Sequence, residues 1–169
     1  MTNLSNLGVT EILDGLNNKA FCAEELIVEY IKILKTKNKH NAYIHFNEEK
    51  SLNLAKESDA RRAKNNSLAL DGLPIAVKDI FCVKGEKTSA CSKILENFVP
   101  NYESSVTLNL WKQGAIYLVK TSMDEFAMGS SNETSFFGKV INHLSKDKQL
   151  VPGGSVSYTH LTLPTIYSV

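Results

Sequence analysis

An apolar run broken by a single lysine constrains this chain more than any other feature: Leu73-Pro74-Ile75-Ala76-Val77-Lys78-Asp79-Ile80. Apolar residues on both faces predict a central strand covered on both sides. Side chains alternate along a strand, so Lys78 shares a face with Ala76 and Ile80. A lysine placed there must pair its charge, reach water or give up its proton. Taken alone, the run leaves two readings open: a strand-end lysine that snorkels to solvent, or a base held ready for chemistry.

The flanking sequence makes this strand part of an α/β chain. Residues 1–20 read as an amphipathic entry, with Thr10 and Glu11 opening a helix that carries Ile12, Leu13 and Leu16. Ala23 to about Asn38 reads as a helix with one apolar stripe of Leu26, Ile27, Tyr30, Ile31 and Leu34. Asn41–Asn47 alternates as a short strand. Glu48 to about Asn65 reads as a second long helix, with Leu52, Ala55, Asp59 and Ala63 along one side. Its other face carries Lys50, Lys56, Glu57, Arg61 and Arg62, which reads as a solvated face of mixed charge rather than an RNA-binding patch. Asp71-Gly72 then turns into the opening strand.

Beyond Ile80, Ser104 or Ser105 caps a helix to about Gln113, with Val106, Leu110 and Trp111 inward and Gly114 as its stop. Ala115–Lys120 is another apolar strand. Strand, crossover helix and strand predict a βαβ unit with parallel pairing. The hydroxyl-rich stretch Thr121–Ser135 follows a strand's carboxyl end, where ligands sit in open α/β sheets. A plainer reading is a cap, with Ser122 ahead of Glu125 closing a short helix.

Composition narrows the function classes. The chain has 169 residues, enough for one domain with a core, and a net charge of +1 that points to neither nucleic acid nor an anionic membrane. No apolar run is long enough to span a bilayer, and no basic start precedes an apolar block, so a cytoplasmic protein is expected. Cys22, Cys82 and Cys91 form no C-x-x-C pair and read as free thiols. His40, His45, His143 and His160 have no metal-ligand spacing, so no metal site is expected.

Three segments together resemble the amidase signature family. Gly72-Leu-Pro-Ile-Ala-Val-Lys78-Asp79 is similar to its lysine strand, and Val151-Pro-Gly-Gly-Ser155 to the start of its glycine-serine motif. Lys120-Thr-Ser-Met-Asp-Glu-Phe-Ala-Met-Gly-Ser-Ser131 closely resembles the wording of the branch that serves glutamyl-tRNA(Gln)/aspartyl-tRNA(Asn) amidotransferases as their glutamine-hydrolysing subunit. The resemblance covers residues 1–155 and about the first third of a typical member. It implies the N-terminal portion of a single amidase domain, an α/β fold with a mixed sheet covered by helices, incomplete here.

The resemblance also implies a chemistry. Family members use a Ser-Ser-Lys triad, in which a serine attacks the carboxamide carbon, a cis-serine relays the proton and an unprotonated lysine is the base. Lys78 would be that base, and burial beside its apolar neighbours would favour its neutral form. Ser155 would be the relay, with Val156 standing where the family has a second serine. The nucleophilic serine, about two dozen residues further on in the family, has no counterpart here; Ser157 and Ser168 sit in the wrong context. Phe126, Ala127, Met128, Gly129, Ser130 and Ser131 would line the glutamine pocket. This chain itself is expected to be inactive.

In such a heterotrimer the partners would be the amidotransferase subunits B and C. The chain would hydrolyse glutamine and pass ammonia to the first of them, which uses ATP and Mg to activate the mischarged glutamyl- or aspartyl-tRNA. The glutamine-hydrolysing subunit would need no cofactor of its own. Two alternatives stand beside this reading: a stand-alone amidase of the same family, and a non-catalytic remnant that binds a partner.

Residues 156–169 contain no Asp, Glu, Lys or Arg and resemble no family member, which reads as translated adapter or vector sequence. A genomic read confirming these codons and a native stop would contradict that expectation. Because a cut sheet leaves an unpaired edge, residues 1–169 alone are expected to aggregate.

Overall fold

The computed structural model describes residues 4–36, 40–142 and 150–151. In chain order the elements are α1 (Val9–Asn17), α2 (Ala23–Thr36), β1 (Tyr43–His45), α3 (Glu48–Ala63), β2 (Pro74–Lys78), α4 (Ser105–Lys112) and β3 (Ile116–Thr121). Short 3-10 turns occupy Lys93–Leu95 and Glu125–Ala127. Ser155 and residues 156–169, with His143 and His160, lie outside the described residues.

The chain forms two compact units. The first comprises Met1–Thr36, Asn47–Ile75 and Leu108–Leu118. Its core follows the expected stripe of α2, since Leu26, Ile27, Ile31 and Leu34 are all buried. Asp59 of α3 accepts the Ala23 and Glu24 backbone N–H groups at 2.8 and 3.0 Å, so a distant carboxylate satisfies the amide donors that open α2. Two expectations fail locally. The α1 cap is Gly8, whose N–H is held by Glu11 Oε2 at 2.7 Å, rather than Thr10. The outer face of α3 is also less solvated than its charges imply. Arg61 forks onto buried Asp71, with Nη2 at 2.6 Å, and Arg62 bonds the Asp71 carbonyl at 2.5 Å.

The second unit comprises Lys37–Phe46, Ala76–Thr107 and Val119–Val169. Ser104 caps α4 as expected, its Oγ accepting the Thr107 N–H at 3.3 Å. The inward residue is Thr107, and Val106 is exposed. The shift by one position follows from Thr107 Oγ1 bonding the Cys82 carbonyl at 3.2 Å. Gly114 ends the helix with φ +87, and a Cβ there would stand 2.8 Å from the Asp71 Cα, so both the turn and the close approach require glycine.

The sheet order is β1-β3-β2. β2 and β3 run parallel: Ile116 N–H bonds Leu73 O and, six residues on from Leu73, Asp79 N–H bonds Thr121 O. The βαβ expectation therefore holds. β1 joins the other side of β3 antiparallel, with Tyr43 opposite Thr121 and His45 opposite Lys120, making the sheet mixed. One expectation is corrected. β3 is the central strand and every residue in it is buried, whereas β2 is an edge among the described strands and only Val77 in it is buried. Apolar content on both faces does not make a strand central; a hydrogen-bonded neighbour on each side does.

Candidate active site

Lys78 ends β2 and is half-buried. It makes no ion pair or side-chain hydrogen bond with a described residue. Its main chain is well held: the Lys78 carbonyl accepts the Phe81 N–H at 3.0 Å and closes a turn. The burial expected of Lys78 belongs instead to Lys120, which is 0% exposed.

Lys120 opens the family-like segment, where sequence assigns it no role, and the structure buries it completely. An ammonium has three N–H donors; here two are hydrogen-bonded and the charge is balanced by a carboxylate. Nζ lies 2.5 Å from Phe81 O, 3.3 Å from Thr88 Oγ1 and 3.4 Å from Asp79 Oδ1. Burial pushes the Lys120 ammonium below the ordinary lysine value, and the Asp79 charge opposes that shift. The only sequence signal was a lysine ending an apolar strand.

Asp79 is equally committed. Its Oδ2 accepts Ser89 N–H at 3.0 Å, Ser89 Oγ–H at 2.6 Å and Cys91 N–H at 3.1 Å, and its carbonyl accepts Ala90 N–H at 3.2 Å. These bonds hold Ala90 and Cys91 in left-handed backbone, at φ 49 and 52. Two consecutive non-glycine residues in that region store roughly 1 kcal/mol or more each. The Cys91 thiol is pushed up, first by burial and then by the Asp79 charge, which disfavours the nucleophilic thiolate.

The same loop reaches the segment expected to hold glutamine. Phe126 N–H bonds Ala90 O at 3.0 Å, Phe136 N–H bonds Cys91 O at 2.9 Å, and Ser92 Oγ donates to Glu125 Oε1 at 2.5 Å. Phe126 and Ala127 are themselves left-handed, at φ 52 and 60. Phe126, Ala127, Met128, Gly129 and Ser130 are exposed and Ser131 half-buried, so these residues offer an open face.

Asp124 organises that face. Its carboxylate accepts N–H bonds from Asn132 at 2.9 Å, Glu133 at 3.1 Å and Thr134 at 3.3 Å, plus the Thr134 hydroxyl at 3.0 Å. Burial raises its pKa, but the four donors outweigh burial and hold the carboxyl below the ordinary value. The residue at the N-cap of the Glu125–Ala127 turn is Asp124 rather than Ser122, contrary to the plainer reading. The buried Ser122 hydroxyl faces Ser135 Oγ at 3.3 Å and Asn132 Oδ1 at 3.4 Å.

Among the described residues no cluster of His, Cys, Asp and Glu could hold a metal ion. His45 instead pairs with buried Glu86 at 3.0 Å. No helix among the described residues is long and apolar enough to cross a membrane.

Comparison with known proteins gives the chain's family and fold. The family model described as Amidase matches residues 25–157. The A subunit of glutamyl-tRNA(Gln) amidotransferase from Rickettsia bellii (strain OSU 85-389) is 49% identical over 92% of this chain and 32% of its own length. Its counterpart from Caulobacter vibrioides (strain NA1000 / CB15N) is 48% identical over 90% of the chain and 32% of its own length. The chain thus spans about a third of these curated relatives. A solved structure, from a vestigial protein complex bearing on the origins of an s-triazine catabolic enzyme, superposes with a TM-score of 0.82 at 28% identity, over 89% of this chain and 33% of that one.

Proposed function

The chain belongs to the amidase family, and we propose that it is part of the glutamine-hydrolysing subunit of a tRNA-dependent amidotransferase. The observation that carries this reading is the identity of 49% across 92% of the chain to such a subunit, against 28% to the s-triazine-related structure.

In this reading Lys78 is the base. A half-buried amine with no partner among the described residues suits a group that must exchange a proton, whereas Lys120 is hydrogen-bonded to Phe81 O and Thr88 Oγ1 and ion-paired with Asp79. Ser155 relays the proton from a nucleophilic serine in the longer protein. The serine oxygen forms a bond to the glutamine carboxamide carbon, the C–N bond breaks, and the relayed proton leaves with ammonia. Water then hydrolyses the acyl ester and releases glutamate. Phe126–Ser131 hold the glutamine, and the Asp124 bonds to Asn132 and Glu133 N–H close the loop that carries them.

The partners in a cytoplasmic heterotrimer are subunits B and C. The first receives the ammonia and uses ATP and Mg to amidate glutamyl-tRNA(Gln) or aspartyl-tRNA(Asn). The glutamine-hydrolysing chain carries no cofactor. The test is substrate profiling of a full-length protein with this region, with and without subunits B and C. Glutamine hydrolysis that rises in the complex, with ammonia appearing in charged tRNA, is expected. Equal hydrolysis of unrelated small amides, indifferent to the partners, would contradict the reading.

A further inference from the structure

We propose that the buried Asp79–Lys120 pair is a positioning device for Lys78, pinning the end of β2 that carries the base. The proposal rests on the reading of Lys78 as that base. Lys78 has a head with no partner among the described residues, on a held stem. Immediately after it, Asp79 donates its N–H to Thr121 O, accepts Ala90 N–H on its carbonyl and takes three further donors on Oδ2. Lys120 closes the arrangement from the neighbouring strand: one ammonium ties the Asp79 carboxylate, Phe81 O and Thr88 Oγ1 together. Residues 79, 81 and 88 are thereby fixed to one point of β3. The Lys78–Phe81 turn cannot swing without breaking bonds on a group that is 0% exposed.

The expense of the device argues that it does more than hold the fold. A buried ion pair gives little or no net stability over an apolar pair of similar size, so stability alone does not require one here. An apolar contact between β2 and β3 would hold the strands together without fixing direction. Two charged hydrogen bonds and an ion pair to three separate groups fix direction, and direction is what a proton-transferring side chain needs from the backbone beneath it.

The experiment uses full-length protein in its complex, with glutamine hydrolysis measured per folded molecule. Lys120→Met keeps the side-chain length and removes the donors. It is expected to lower kcat by at least about 30-fold while KM stays within about 3-fold, as displacement of a reacting group does. The same substitution in a Lys78→Ala background is expected to cost less than about 3-fold, because its effect runs through Lys78. Ser89→Ala removes one hydroxyl from Asp79 with little risk to folding, and a fall of about 3- to 10-fold in kcat at unchanged KM is expected. If Lys120→Met does not fold, Ser89→Ala decides: a fall in kcat supports the proposal, and unchanged kinetics overturn it. An equally large effect of Lys120→Met with and without Lys78 also overturns it. Full activity in Lys78→Ala itself removes the base assignment, a failure visible in that variant alone.

Discussion

Gly129→Ala should collapse the Asp124 turn. A Cβ at Gly129 would lie 2.4 Å from Asp124 Cγ and 2.7 Å from both carboxylate oxygens. Ordinary contact begins near 3.4 Å, so the carboxylate must retreat by about 1 Å. It is held by four donors, three of them backbone N–H groups at 2.9, 3.1 and 3.3 Å. A shift of that size takes at least two beyond hydrogen-bond range, at about 1.5 kcal/mol each for bonds to a charged acceptor. The expected loss is about 3 kcal/mol, concentrated in residues 124–134, together with a rise in glutamine KM of about tenfold or more. Gly85→Ala is the control. That position has φ +77 but open space around a Cβ, so only the backbone cost of about 1 kcal/mol applies and KM should not move. Urea unfolding and glutamine kinetics on full-length protein read both quantities. Equal stabilities and equal KM values for the two variants would refute the steric argument.

Three further outcomes follow from the charges. The Asp124 carboxyl titrates below its ordinary value of 3.8, so its contribution to stability is present above that pH and is lost as pH falls through the lower folded value; Asp124→Asn should flatten that acid dependence in pH-resolved melts. Lys120 titrates below 10.5, so the unfolded chain binds more protons between the two values and stability rises with pH there. Lys120→Met should abolish that rise. Arg61→Met strands buried Asp71 and should cost about 3 kcal/mol in urea unfolding with glutamine KM unchanged, since neither residue belongs to the candidate site.

Much of the fold was legible because it depends on local pattern. The α2 stripe, the Ser104 cap, the Gly114 stop and the β2–α4–β3 crossover each follow from spacing within a few residues. What stayed hidden depends on partners far apart in sequence. Nothing near Lys120 announces Asp79, 41 residues earlier, and nothing near Asp71 announces the grip of Arg61. Burial of β3 over β2 was invisible because both runs are strongly apolar and, among the described strands, only β3 has a neighbour on each side. The left-handed pairs Ala90–Cys91 and Phe126–Ala127 oppose propensity, and bonds to Asp79 and between the two loops impose them. In the candidate site, sequence marked Lys78 and the 126–131 face. It passed over Asp79, Lys120 and Asp124, whose work is to hold those residues in place.

The most direct test of the account is glutamine hydrolysis by a full-length protein in which Lys78 is replaced by Ala. With the fold intact by circular dichroism and melting, kcat is expected to fall by about a thousandfold or more, as loss of a triad base requires. A folded Lys78→Ala protein that hydrolyses glutamine within about tenfold of the parent rate would contradict it.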